Sequence, residues 1–174
     1  VVKQSRTTTN ADTQGEHRAL FRTTSGWVVS PTDLVDTLEC DHRTALKSAL
    51  AAHVPGAPRP EPVDALVAQH GQAHEKAELD RLRQVFGEVA TIADPEPHDH
   101  DLARAARETA QAMRAGAPVI YQGVFHHRLT DRVAFHGRAD FLIRSDLDPT
   151  TGHTRPDHTG EPAYEPWDTK LALS

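Results

Sequence analysis

The sequence predicts an α/β fold, a mixed central sheet flanked by helices, and three observations carry that prediction. Apolar residues recur at near-helical spacing in three stretches of the first two thirds of the chain. From Pro118 the pattern changes to period two. The resulting order of helix, strand, helix and then three strands is that of a sheet covered by helices. At 174 residues the chain suits one domain, and 37% hydrophobic with 5% aromatic residues leaves a core built mainly from Ala, Val, Leu and Ile.

Residues 1–26 are polar and Thr-rich without a sustained period, so they read as a disordered leader. Order is expected from Trp27-Val28-Val29. Ser30 or Thr32 can cap one helix running through residues 34–53, with Leu34, Leu38 and Leu46 on its apolar side. The proline-rich VPGAPRPEP connection then forbids regular structure. A second helix is read over 63–84, with Leu66, Ala73, Ala77 and Leu79 as apolar positions and Gly71 as its weak link. VFGEVATIA alternates as a strand, DPEPHDHD turns the chain and caps a third helix over 101–116, and Gly116 ends it. PVIYQGVFHHRL and RVAFHGRADFLIRS form a hairpin that turns near Thr130-Asp131; a loop fills 146–162, and AYEPWDTKLAL returns as a strand.

The formal net charge of −6 argues against a protein whose whole surface grips nucleic acid, so any phosphate-binding surface must be local. A single cysteine, Cys40, excludes an internal disulfide and fits a reducing, cytoplasmic setting. No apolar run approaches the length of a membrane span, and the N-terminus carries no apolar signal segment, so a soluble protein with no membrane partner is expected. Val1 in place of methionine, and a stop at Ser174 just after an apolar stretch, suggest a piece of a longer polypeptide.

Two charged pieces interrupt apolar strands in the last third: GRAD, ending at Asp140, and DTK, Asp168 to Lys170. Strand parity puts Val133, Phe135, Gly137, Ala139, Phe141 and Ile143 on one face, and His136, Arg138, Asp140 and Leu142 on the other. Asp168 and Lys170, two apart, emerge together. Carboxylates from neighbouring strands can hold hard divalent cations that polarise a phosphoryl oxygen and acidify water. Lysine supplies a compact charge for the transition state, and the Thr169 carbonyl a further metal ligand. With four lysines against fifteen arginines, Lys170 is not simply the chain's habitual cation. Singly, a D-x-K tripeptide is more often an exposed strand pair; jointly, the two acids in apolar strands favour a metal site. Tyr121 and Gln122 read as sheet residues, with Gln122 a lesser candidate for lining the cleft, and Arg138 as a partner for a carboxylate ahead of a phosphate contact. The HDHD run at 98–101 is explained by helix capping and dipole partnership, while His126 and His127 must point to opposite sides of a strand; a transition-metal site there is discounted.

The GRADFL and YEPWDTKLAL segments, one loop apart, resemble the second and third nuclease motifs of the PD-(D/E)xK superfamily in its RecB-like branch, and GQAHE resembles that branch's G-x-x-H-E segment. The resemblance implies a restriction-endonuclease-like core over residues 27–174, incomplete at the C-terminus because the Q-x-x-x-Y helix is lacking. It implies a metal-dependent (exo)deoxyribonuclease acting in DNA repair or processing, with Mg²⁺ or Mn²⁺ held by His74, Asp140, Asp168 and the Thr169 carbonyl, Lys170 as catalytic lysine beside Asp140 and Asp168, and Glu75 as a helper. DNA is then the partner, with fusion to or association with a helicase or a further nuclease domain. LVDTLECDHRTAL is similar to the family's N-terminal helix, where many members place one cysteine of a 4Fe-4S cluster; Cys40 would be that ligand only in a longer parent chain. The alternatives are a non-catalytic nucleic-acid-binding or scaffold module that keeps the nuclease fold, and a metallohydrolase of small phosphodiesters.

Overall fold

A computed structural model describes residues 20–57 and 65–168. The chain runs β1 (Phe21–Thr23), β2 (Gly26–Val29), α1 (Pro31–Glu39), α2 (Asp41–Ala51), α3 (Ala65–Phe86), β3 (Ala90–Thr91), α4 (Asp99–Arg114), β4 (Val119–Thr130), β5 (Val133–Arg144) and β6 (Tyr164–Trp167). The six strands form one mixed sheet in the order β1-β2-β5-β4-β3, with β6 also on β5. The expected α/β architecture, a mixed sheet flanked by helices, is therefore present. Among the described residues no helix is long and apolar enough to cross a membrane.

Strand β5 organises the sheet. One of its edges carries β4, antiparallel over the length of the hairpin. The other is shared: β2 pairs in parallel over Val133–Phe135, and β6 pairs antiparallel over Phe141–Arg144. Apolar side chains then leave the sheet on both faces. Val119, Phe141 and Ile143 meet Leu79 and Leu82 of α3 on one side. On the other, Ile120, Val124 and Leu142 meet Ala105 of α4, and Val28 and Ala134 meet Leu102. Thr109 locks α4 to the sheet, since its hydroxyl donates to the Ala105 carbonyl at 3.0 Å and accepts from the Val124 N–H at 2.9 Å.

Four expectations need correction. The polar leader stops short of residue 26: Phe21–Thr23 form β1, because Phe21 joins the buried cluster of Val28, Leu102 and Ala134 and Arg22 stacks over Trp27 at 5.1 Å; residues 1–19 lie outside the described residues. The single helix of 34–53 is two, broken where Cys40 adopts an extended backbone (φ −161°, ψ 102°). The break lets α2 fold back so that Lys47 bridges Asp33 and Asp36 and Arg43 reaches Asp36 at 2.8 Å. In one straight helix Asp33 and Lys47 would be about 21 Å apart. Ser30 caps α1 as expected, in a capping box with Asp33.

The strand expected over 85–93 shrinks to Ala90–Thr91, because Val85 and Phe86 complete α3 and Gly87 (φ 78°) ends it. Strict parity along β5 also fails. Ala139 packs with the cluster of Ile92, Ile120 and Leu142 near α4, whereas Phe141 and Ile143 face α3. On α3, Leu79 is buried but Ala73 and Ala77 are exposed, while the side chain of Leu66 and helix positions 63–64 lie outside the described residues. The third helix ends at Arg114 with Gly116 at φ 74°, as the sequence implies.

Gly26 is required by geometry. It turns the chain between β1 and β2 at φ 139°, and a Cβ there would collide with the Arg132 carbonyl, which accepts the Trp27 N–H at 2.8 Å. Gly71, in contrast, lies inside α3, and among the described residues no heavy atom other than the helix's own backbone lies within 4 Å of the place a methyl group would take. Gly26→Ala should therefore cost at least about 2 kcal/mol in urea unfolding, while Gly71→Ala should stabilise by roughly 0.5–1 kcal/mol. Equal effects of one sign would contradict the close approach at Gly26 or the open space at Gly71.

Candidate active site

The fork in the sheet leads to the two candidate aspartates. Pairing of β5 with β6 runs Arg144↔Tyr164, Ile143↔Glu165 and Leu142↔Pro166 and ends at Phe141↔Trp167, so Asp140 and Asp168 are each the next residue beyond the last pair. Asp140 is partly buried and Asp168 exposed. Asp140 also lies at an irregularity of the hairpin: β4 and β5 pair through Tyr121↔Phe141 and resume at Gly123↔Ala139, stepping past Gln122 and Asp140. Gln122 occupies the left-handed region at φ 58°, costly for a residue with a Cβ. This step explains why Ala139 and Phe141, two apart, face different helices.

Gln122 does not simply line the sheet. Its Nε2 donates to the Glu75 carboxylate of α3, and its Oε1 accepts from Arg138 Nη2. Arg138 Nη1 in turn donates to Asp94 at 2.8 Å, the carboxylate partner the sequence anticipates for this arginine. Tyr121 sits beside this chain, its ring 5.2 Å from that of Phe141. Burial raises the Tyr121 pKa above that of a free phenol, and the Glu75 carboxylate within hydrogen-bonding reach and the Asp140 charge push the same way.

His74 is exposed on α3, and its charge acts on Glu78 one turn along, which is held below the usual carboxylate range chiefly by its hydrogen bonds with Arg81. Glu75, not His74, is the residue that reaches the sheet. Sequence reasoning gives Glu75 only a helper's part, although it shares a stripe with buried Leu79 and Leu82 at i, i+4 and i+7. Cys40 is a free thiol, partly exposed, at the α1–α2 break. Thr169 and Lys170 lie outside the described residues. Asp140, Asp168 and Glu75 offer oxygen donors only, the chemistry that suits Mg²⁺ or Mn²⁺. Among the described residues no group of three or more His, Cys, Asp or Glu side chains is already set to hold a metal ion.

A second polar cluster is not anticipated by the sequence. His126 of β4 and His136 of β5 are register partners, and Asp99 in the first turn of α4 is close enough for its charge to act on His126. Among the described residues, Nδ1 of His126 and Nδ1 of His136 are buried without a hydrogen-bond partner, whereas the Asp99 carboxylate is stabilised by the Ser25 and Thr23 hydroxyls. His136 is only 8% exposed. Burial foremost, then the charges of His126 and Arg138, lowers its pKa to about 4, and burial likewise lowers that of His126. The signal available in the sequence is the equal distance of the two histidines from the Asp131 turn, five residues on either side.

Compared with known proteins, the chain matches no family model, no curated protein and no solved structure.

The depressed histidine has a pH consequence. The unfolded chain takes up this proton near pH 6.5 and the folded chain only near 4, so stability is full above pH 6.5 and falls as the pH drops through that window. The fully developed loss is on the order of 3 kcal/mol. His136→Phe should flatten the stability profile measured by urea unfolding between pH 6.5 and 5, before most carboxylates titrate; an unchanged slope would show that His136 is not held neutral by the fold.

Proposed function

We propose that this chain is a metal-dependent nuclease module of the RecB-like PD-(D/E)xK type, with a restriction-endonuclease-like core, that hydrolyses phosphodiester bonds in DNA. The observation that supports this reading is the antiparallel β5–β6 pairing, whose last pair, Phe141↔Trp167, has Asp140 and Asp168 as the next residue on each side. The motif resemblance of GRADFL and YEPWDTKLAL supplies the chemical class. Asp140 and Asp168 would hold Mg²⁺ or Mn²⁺, with Glu75 of the covering helix reaching the sheet at Gln122. The chemistry that ion supplies when bound is Lewis acidity toward a phosphoryl oxygen and toward water. Lys170 would stabilise the charge developing on the phosphoryl group.

Tyr121, Gln122 and Arg138 act here as supports. Gln122 holds Glu75 from below, and Arg138 fixes the amide by occupying its oxygen while Asp94 neutralises the guanidinium. Glu75 is thereby kept at the sheet rather than in solvent.

The test is cleavage of single- and double-stranded DNA in Mn²⁺, with and without chelator. Asp140→Asn and Asp168→Asn should each lower turnover by more than about 100-fold, since loss of even an outer partner of a metal ligand costs 10- to 100-fold. Lys170→Ala should leave Mn²⁺ binding by calorimetry nearly intact while removing most cleavage. Chelator-insensitive cleavage, or turnover unchanged in the aspartate variants, would overturn the assignment. DNA retention without chelator-sensitive cleavage would identify a binding module instead.

A further inference from the structure

Among the arginine–acid pairs of the described residues, one is built differently from the rest. Elsewhere the acid is either largely buried, as with Asp36 and Asp146, or only three or four residues away in the chain, as with Glu39, Asp80 and Glu108. Arg138 of β5 and Asp94 fall in neither class. They are 44 residues apart in sequence, and the Asp94 side chain, on the irregular connection between β3 and α4, is 70% exposed against 30% for Arg138. The fold thus brings a distant acid to this guanidinium yet leaves that acid in water, where an ion pair contributes little net stability.

The two arms of the guanidinium are held unequally. Nη2 donates to Gln122 Oε1, and the Gln122 amide is itself fastened to Glu75 of α3. Nη1 donates to Asp94 at 2.8 Å. One arm is therefore anchored on a neutral group inside the network, and the other rests on an exposed anion. The anchored arm also fixes where the charge lies. Gln122 is the residue that the β4–β5 pairing steps past together with Asp140, and Arg138 precedes Asp140 by two residues, about 7 Å along a strand.

We propose that Arg138 binds a backbone phosphate of the substrate, and that Asp94 occupies the place of that phosphate until DNA displaces it. The inference rests on the nuclease reading for the identity of the anion. A guanidinium presents the same planar fork to a carboxylate and to a phosphate, so the exchange needs no new geometry at Arg138, and its bond to Gln122 persists through it. Returning Asp94 to water costs little, because its side chain is already mostly hydrated. The offset from Asp140 suits the phosphate beside the one attacked, which makes Arg138 a substrate-positioning residue. On a chain of net charge −6, where a phosphate-binding surface has to be local, Asp94 weakens DNA binding by competing for one of its cations.

The sign of one substitution separates this role from a structural one. Binding of a fluorescein-labelled DNA oligonucleotide, single-stranded or duplex, is followed by anisotropy in chelator, so that no cleavage intervenes. Asp94→Asn should tighten binding at least about 2-fold. Arg138→Ala should weaken it at least about 10-fold and make the dependence of log K on log salt shallower by about one, whereas Arg138→Lys, which keeps the charge without the fork, should recover part of the affinity and the full salt slope. In the Arg138→Ala background, Asp94→Asn should no longer tighten binding. Weaker or unchanged binding in Asp94→Asn overturns the proposal, because a purely structural ion pair gives that result. Equal tightening with and without Arg138 also overturns it, since removal of any acid would then suffice, as does absence of DNA binding by the wild type. Cleavage that depends on Asp140 and Asp168 but is accompanied by no effect of Asp94→Asn on binding sinks this inference alone. Tighter binding in Asp94→Asn without chelator-sensitive cleavage sinks the nuclease reading and leaves the phosphate contact standing.

Discussion

The shared edge of β5 is the constraint on which the rest of the molecule depends. A strand has one hydrogen-bonding row on each side, and β5 commits one row to its hairpin partner and divides the other between β2, running parallel, and β6, running antiparallel. The division joins the two ends of the described chain in a single layer. It also fixes what each end contributes: β2 brings the capped α1–α2 hairpin, and β6 carries the chain along β5 as far as Trp167 opposite Phe141. Burial follows from the same strand, with Phe141 and Leu142 nearly inaccessible to solvent on opposite faces. Two helical layers are needed because neither face could be left in water.

Against that regular frame, the step at Gln122 and Asp140 is an exception with a purpose. A non-glycine residue held at positive φ costs on the order of 1–3 kcal/mol and persists only when its surroundings over-determine it. Here Glu75 and Arg138 grip the two ends of the Gln122 amide. The local break frees Asp140 from the alternation that would otherwise commit it to the core facing α4. Irregular pairing beside a reactive group is a common device for aiming a side chain.

Most of the architecture is legible in the sequence because it rests on period. The hairpin with its turn, the third helix ended by Gly116 and the Ser30 cap all follow from local pattern and terminal chemistry. What is not legible depends on partners distant in sequence. Cys40 breaks a helix whose composition would allow continuation, because Lys47 gains two carboxylates only when the chain doubles back. Phe21 turns the end of a polar leader into a strand by meeting Val28 and Leu102. In the candidate site, the aspartates are visible as charges in or beside apolar strands, and the register adds that β5 and β6 pair up to the residue before Asp168. Choosing between His74 and Glu75 needs the rotation of α3 about its axis, which one residue changes by about 100°. The His126–His136 pairing needs the register of the hairpin rather than its existence.

Tyr164, at the start of β6, presents its hydroxyl to the carbonyls of Met113 and Ala117, at 3.2 and 2.8 Å, where α4 ends. The last carbonyls of a helix have no partner within it, so the phenol serves as a latch between the helix terminus and the outermost strand. A four-residue strand on one edge would otherwise fray easily. Fastened in this way, β6 inherits the rigidity of α4, and the segment that leads to Asp168 is anchored by a side chain four residues before it.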